Sequence, residues 1–120
     1  MSLEFRHPAG RTDILMTDDV GRVVAFEAKL SDWRRALHQA YRNTCFAELS
    51  YIVVPEDTAR RALVFRARFQ ALGIGICSAS PDGIVIHERP QPAEPLLPWL
   101  HERAKAAVNT IDDKPDRQVC

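Results

Sequence analysis

Apolar residues in this chain come in short blocks, and the period inside the blocks changes along its length. Ile14-Leu15-Met16 reads as a strand. Thr17-Asp18-Asp19-Val20-Gly21 is rich in turn formers and is expected to close a hairpin. Residues 22–29 form the partner strand, nearly continuous in apolar character up to Phe26, as expected for a strand covered on both faces. Ser31 is placed to cap a helix, and Asp32 suits its positive end. Trp33, Leu37 and Ala40 follow at helical spacing and predict a helix over residues 32–46. Residues 50–54 are a short run rich in β-branched side chains, stopped by Pro55, and read as a buried strand. Glu56 or Asp57 opens a second helix, whose apolar stripe is Ala62, Phe65, Phe69 and Leu72 and whose C-cap is Gly73. Two further strands are expected over 74–78 and 84–87, joined by the turn Ser80-Pro81-Asp82-Gly83. Residues 89–98 carry four prolines and read as an extended connector. A last helix over 97–108 contains Trp99, Leu100 and Ala104.

Strand, strand, helix, strand, helix, strand, strand, helix is an α/β order. It predicts a mixed central β-sheet flanked by helices. Residues 1–108 make a single domain, and the polar, charged tail 109–120 is expected to be flexible. With 46% apolar and 27% charged residues, the composition is that of an ordinary globular chain. No apolar run approaches a membrane span, and residues 1–6 lack the long apolar stretch of a secretory signal. Cys45, Cys77 and Cys120 are odd in number and widely spaced, which fits a reducing cytoplasm better than a disulfide framework. Net charge is zero, which counts against a strong nonspecific nucleic-acid binder. The charge is uneven, however. Arg34, Arg35, Arg42, Arg60, Arg61, Arg66 and Arg68 face few acids in the same stretch, which allows a local basic face.

Candidate chemistry concentrates in the first hairpin. Asp13 lies beside one apolar run, and Glu27-Ala28-Lys29 ends the next. Strand side chains alternate faces, so Glu27 and Lys29 point the same way. Two acids and a lysine at a sheet edge suit a Mg²⁺-assisted attack on phosphate. The bland alternative is a turn-proximal acid and a cross-strand charge pair on a solvated face.

The order of elements and these residues resemble the PD-(D/E)XK, or restriction-endonuclease-like, nuclease superfamily. The resemblance runs from Gly10-Arg11-Thr12-Asp13 to about Glu88. It implies a restriction-endonuclease-like core. Asp13 would correspond to the family's metal-binding aspartate and Glu27-Ala28-Lys29 to its acid-x-lysine strand. Gln39 would correspond to the glutamine often carried by the helix that follows. Residues 27–33 and 36–40 look most like the family's strand-to-helix junction, and residues 50–55 fit the next core strand. Thr12 stands where many members have proline, and Glu4 is the sole acid ahead of Asp13, where members usually begin with a helix that lends another. On this reading Asp13, Glu27 and the backbone carbonyl of Ala28 hold Mg²⁺ or Mn²⁺. Lys29 stabilises charge on the phosphate, and Gln39 orients water.

Arg35, His38 and Arg42 lie on one helical stripe and are the candidates for contacting nucleic acid, a solvated face being the default. His7, His38, His87 and His101 have no ligand partners at recognisable spacing and read as structural. The expectation is therefore a metal-dependent phosphodiesterase acting on nucleic acid, DNA before RNA. The alternative is a nuclease fold without turnover, serving nucleic-acid binding or assembly. In the assembly case Leu96, Leu97, Trp99 and Leu100 would pack on a second copy or on a partner protein.

Overall fold

Two parallel crossovers in the middle of one sheet organise the chain. The computed structural model describes residues 2–7 and 10–112, with backbone alone at 2–4, 10 and 110–112. Strands β1 (Ser2–His7), β2 (Gly10–Thr17) and β3 (Val23–Ala28) form an antiparallel meander. Helix α1 (Trp33–Asn43) then crosses to β4 (Leu49–Pro55), parallel to β3. Helices α2 (Glu56–Leu63) and α3 (Arg66–Leu72) cross to β5 (Gly75–Ser80), parallel to β4. β6 (Gly83–Glu88) returns antiparallel to β5, and α4 (Pro98–Asp112) closes the chain. The sheet order β1-β2-β3-β4-β5-β6 is the sequence order. The molecule is thus α/β, with a six-stranded mixed sheet flanked by helices.

All four helices gather on one face of that sheet. Both crossovers advance in the same direction, so connections of one hand deliver α1 and α2–α3 to the same side. The register agrees. Leu15 pairs with Ala25, and Ala25 with Ser50, whose Oγ donates to the Ala40 carbonyl of α1 at 2.7 Å. Under α1, α2 and α3 lie Trp33, Leu37, Ile52, Val54, Phe69 and Ile76. Under α4, Leu100, Ala104 and Val108 pack at spacings of four on Phe5, Leu15, Val23 and Phe46. The opposite face carries Val24, Tyr51 and Cys77, with Phe26 stacked on Tyr51 at 5.0 Å between ring centroids. No helix among the described residues is long and apolar enough to cross a membrane.

Several elements depart from the sequence expectation. β1 was not foreseen. Its pairing with β2 lengthens the first hairpin and sets the sheet's edge. Asp32, not Ser31, caps α1, accepting from the Arg35 amide at 3.1 Å. The expected single helix over 56–72 is two, interrupted at Val64 and Phe65. The break leaves Phe65 40% exposed against Trp33, while Phe69 reaches the core beside Ile74 and Ile76. Gly73 caps α3 in the left-handed region, at φ 74°. Residues 89–97 are irregular, as expected, and run along the sheet end. The Ala93 amide donates to the Glu48 carbonyl, and that of Leu97 to the Cys45 carbonyl. Leu100 is buried in the core, so it drops out of the assembly surface, whereas Leu96 and Trp99 remain exposed. α4 runs on through Asp112, past the expected boundary at 108, and the remaining tail lies outside the described residues.

Gly75 marks a point where the chain tolerates no side chain. A Cβ there would sit 2.6 Å from Tyr51 Cδ1 and 2.8 Å from both the Glu88 carbonyl oxygen and Pro90 Cδ. The carbonyl belongs to the paired β6 backbone and cannot swing away. Gly75→Ala is therefore expected to cost about 1–3 kcal/mol, read as a lower urea midpoint with an unchanged slope.

Candidate active site

The β2–β3 ladder stops at the pair Ile14↔Phe26. Continuing the register would set Asp13 opposite Glu27. There the strands separate instead, and the Asp13 carboxylate accepts the Ala28 amide at 3.0 Å. A side chain thus takes a backbone donor that a further ladder rung would have used. The separation opens a small cleft, about 90 Å³, at the end of the hairpin. Arg11 and Asp13 line it from β2, and Glu27 and Lys29 from β3, each pair at the strand period of two. α1 contributes Gln39, Arg42 and Asn43 at helical spacings, and β1 contributes His7.

Glu27 lies on the helix-covered face with Val23 and Ala25 and is 1% exposed. Its Oε1 accepts from Asn43 Nδ2 at 2.9 Å. Asn43 Oδ1 in turn accepts from Thr12 Oγ1 at 2.7 Å. His7 Nε2 lies 3.1 Å from the same Thr12 hydroxyl. A polar relay therefore runs Glu27–Asn43–Thr12–His7 across β3, α1, β2 and β1. The His7 ring is wedged between Phe5 and Phe46, at centroid distances of 5.5 and 4.9 Å.

Burial pushes the Glu27 carboxyl up to about 7 from its ordinary 4.5. The Asn43 hydrogen bond opposes this, the Asp13 charge and hydrogen bond add to it, and the Lys29 charge opposes it. Burial also lowers the His7 pKa, and the positive charge of Arg103 lowers it further. Two carboxyl groups that repel each other, one of them desolvated, fit a hard divalent cation bound by one or two carboxylates and several waters. Among the described residues no three His, Cys, Asp or Glu side chains form a metal-holding group. A cation here would rest on Asp13 and Glu27, with backbone and water oxygens completing its shell.

Asp13, Glu27, Lys29 and Gln39 all line this one cleft. Of the expected phosphate stripe, Arg42 lines the cleft, while Arg35 and His38 are exposed on α1 outside it. Ala28 lies outside the cleft. Its exposed end borders a larger apolar hollow of about 750 Å³ at the ends of β3, β4 and β5, with Lys29 common to both. Glu27 is not the solvated surface charge of the bland reading. His7, read as structural, belongs to the cleft, and Arg11, Thr12 and Asn43 were not singled out. Two spacings held the signal: Gln39 and Asn43 are four apart on the helix, and Arg11 and Asp13 two apart on the strand.

No family model matches the chain, and no curated protein matches it. Among solved structures it is similar to the SPO1766 protein of unknown function from Silicibacter pomeroyi. The TM-score is 0.68 at 15% identity, covering 99% of this chain and 77% of that one. At that identity the likeness speaks to fold alone.

The raised Glu27 pKa has a stability consequence. Between the ordinary 4.5 and about 7 the folded state holds a proton that the unfolded state has lost. Stability therefore falls as pH rises through this window, by about 3 kcal/mol in full, and is flat in this respect below it. Urea unfolding at about pH 5 and about pH 8 is expected to show this loss in the wild type and not in Glu27→Gln.

Proposed function

We propose that the chain is a small PD-(D/E)XK-type domain with a restriction-endonuclease-like core that hydrolyses phosphodiester bonds in nucleic acid, with DNA the first substrate to test and Mg²⁺ or Mn²⁺ the cofactor. The observation that carries this reading is the convergence of Asp13 and Glu27 where β2 and β3 part, with Lys29 lining the same cleft. The surrounding charges favour a phosphate as the guest. Arg11, Lys29 and Arg42 line the cleft against two acids, and Glu27 gives up its negative charge readily.

A divalent cation held by Asp13 and Glu27 would polarise a phosphodiester oxygen and make a bound water more acidic. The protein's own groups do the rest. Asn43 fixes the Glu27 carboxyl by donating to Oε1, and the Ala28 amide fixes that of Asp13. Lys29 offers a compact charge to the oxygens of the pentacovalent phosphate, and the Gln39 amide orients water or touches the sugar-phosphate backbone. Burial under α1 keeps the Glu27–Asn43 pair from reorganising during the reaction.

Short DNA and RNA substrates are expected to be cut with Mg²⁺ or Mn²⁺ and to survive in EDTA. Lys29→Ala should lower turnover by about 100-fold or more with its unfolding midpoint little changed. Glu27→Ala should abolish both turnover and Mn²⁺ binding by calorimetry. Cleavage persisting in EDTA, or an active Glu27→Ala, would sink the reading.

A second reading, an assembly module without turnover, is favoured by the sheet face that no helix covers. Phe26, Tyr51 and Val53 lie there, and Met16, Ile84 and Ile86 are exposed around them. Exposed apolar surface of this kind marks contact sites. Sedimentation at rising concentration should then show a dimer that Ile86→Lys dissociates. A monomer up to about 100 μM removes self-association tighter than that.

A further inference from the structure

The cleft is too small for a nucleotide. Its volume of about 90 Å³ is well below the range of small-ligand pockets and suits a phosphate group without its nucleoside. A base flanking that phosphate has to lie elsewhere. The apolar hollow beside the cleft, about 750 Å³, is the adjoining space and has the size of a ligand site. Lys29 is half-buried and lines both, so the two open within one side chain of each other.

The hollow opens at the carboxyl ends of the parallel strands β3, β4 and β5, where open α/β sheets take their ligands. Ala28, Leu30, Val53, Val54, Pro55 and Ala79 give it apolar walls, and Ser31 and Ser80 add hydroxyls. Leu30 is 83% exposed, yet its loop is tied down. The Lys29 amide donates to the Val53 carbonyl at 3.2 Å, and Thr58 Oγ1 donates to the Leu30 carbonyl at 2.9 Å. The loop therefore holds an apolar side chain at the hollow's edge instead of letting it fold away. Past Ser31 and Asp32, which line both, the hollow meets a second pocket holding Arg34, Arg61 and Phe65. The Arg34 guanidinium stands 4.4 Å from the Trp33 ring centroid and 5.1 Å from that of Phe65. Arg61 donates to Thr58 Oγ1 at 3.1 Å and lies 4.0 Å from Asp57. Asp32, between the two ends, accepts the Arg35 amide. Cations thus stand at both ends of an apolar hollow, Lys29 at one and Arg34 and Arg61 at the other. Phosphate, apolar face, phosphate is the repeat of a nucleic-acid strand whose base is turned inward. The bases of a duplex are stacked and paired and cannot enter.

We propose that the hollow seats an unstacked nucleobase beside the phosphate in the cleft, and that the chain's preferred nucleic acid is a single strand running from the cleft across the hollow toward Arg34 and Arg61. This rests on the phosphodiesterase reading above. The apolar walls contact the faces of the base, and Ser31 and Ser80 meet its polar edge. Lys29 faces the phosphate on one side of that base, and the two arginines the phosphate on the other. Contacts to base faces are sequence-tolerant, so the strand is selected by its lack of pairing and not by its sequence. The zero net charge agrees, because a short track with few cations suffices for a strand whose bases contribute to binding.

Binding of short labelled DNA, read by fluorescence anisotropy with Ca²⁺ as the cation, tests this apart from turnover. The probes are a single strand of mixed sequence, its duplex, and an abasic strand of equal length with the same phosphates. The wild type is expected to bind the single strand about tenfold more tightly than either of the others. Leu30→Ser, a neutral change at an exposed position, should remove about that margin. Its binding of the duplex and the abasic strand, and its urea midpoint, should match the wild type. Methyl NMR should place the single strand at Leu30, Val53 and Ala79. Equal wild-type affinity for the single and abasic strands, or a preference for the duplex, overturns the proposal and leaves the phosphodiesterase reading standing. So does a Leu30→Ser loss shared by all three probes. Methyl shifts at the hollow that follow protein concentration alone assign it to a second copy and overturn the proposal too. A wild type that binds the single strand as expected but cuts no nucleic acid with Mg²⁺ or Mn²⁺ overturns the phosphodiesterase reading and supports the hollow as a strand-binding site. One that binds none of the probes overturns both.

Discussion

A carboxyl group held under a helix is the constraint from which the site follows. Glu27 sits where Val23 and Ala25 beside it belong to the apolar core, and an unpartnered charge there would cost several kcal/mol. Its partner has to come from the helix above, and Asn43 supplies it. Asn43 is itself buried and needs a donor for its oxygen, which the Thr12 hydroxyl on β2 supplies. Thr12 then has an oxygen to share, and His7 takes it. Each group in turn is fixed by the polar need of the one before. Hydrophobic packing sets how close α1 lies to the sheet, and the relay sets its position along and around its own axis.

The frame beneath this relay is two apolar clusters on one sheet face, joined at Ser50 and Glu48. Ser50 ties β4 to the backbone of α1. The Glu48 carboxylate accepts from the Val23 amide and faces His101 Nε2, both at 2.9 Å, so it links the start of β3 to α4. These anchors stand at the end of the sheet opposite the cleft. Beyond Ile14 and Phe26, β2 and β3 no longer pair with each other, while β2 stays paired with β1 and β3 with β4, and the gap between them is where the site's side chains meet.

Much of the fold was legible in the sequence because its signals are local. The Asp18 turn, the Trp33 stripe, Pro55 and the Ser80-Pro81-Asp82-Gly83 turn each act within a few residues. β1 was missed because Phe5 and His7 become strand residues only through pairing with a segment that no periodicity announces. The break at Val64 and Phe65 was missed because the apolar stripe runs through it unbroken, and only the competing pulls of Trp33 and the β5 core separate the two helices. Asp13, Glu27 and Lys29 were readable from type and spacing, and Gln39 only through the family resemblance. Thr12 and His7 were not, since each owes its importance to the group before it in the relay, and Asn43 showed only as the helical neighbour of Gln39. His7 illustrates the limit: a lone histidine with no partner at recognisable spacing carries no signal, and its surroundings are set by three-dimensional neighbours.

The strap of residues 89–97 gives the last helix an unexpected charge. It carries α4 back across the sheet to cover Phe5, so the last described helix lies over the first described strand. β1 is an edge strand with β2 on one side, and α4 is its roof. During synthesis, every residue that lines the cleft is made long before that roof arrives. The strand bearing His7 is therefore made before α4 and covered only after α4 is made. Lifting α4 would be a smaller event than unfolding the sheet, and it would uncover β1 while the strand stays paired with β2. The cleft is thereby coupled to the seating of α4, which Leu100, Ala104 and Val108 hold down together with the His101–Glu48 contact.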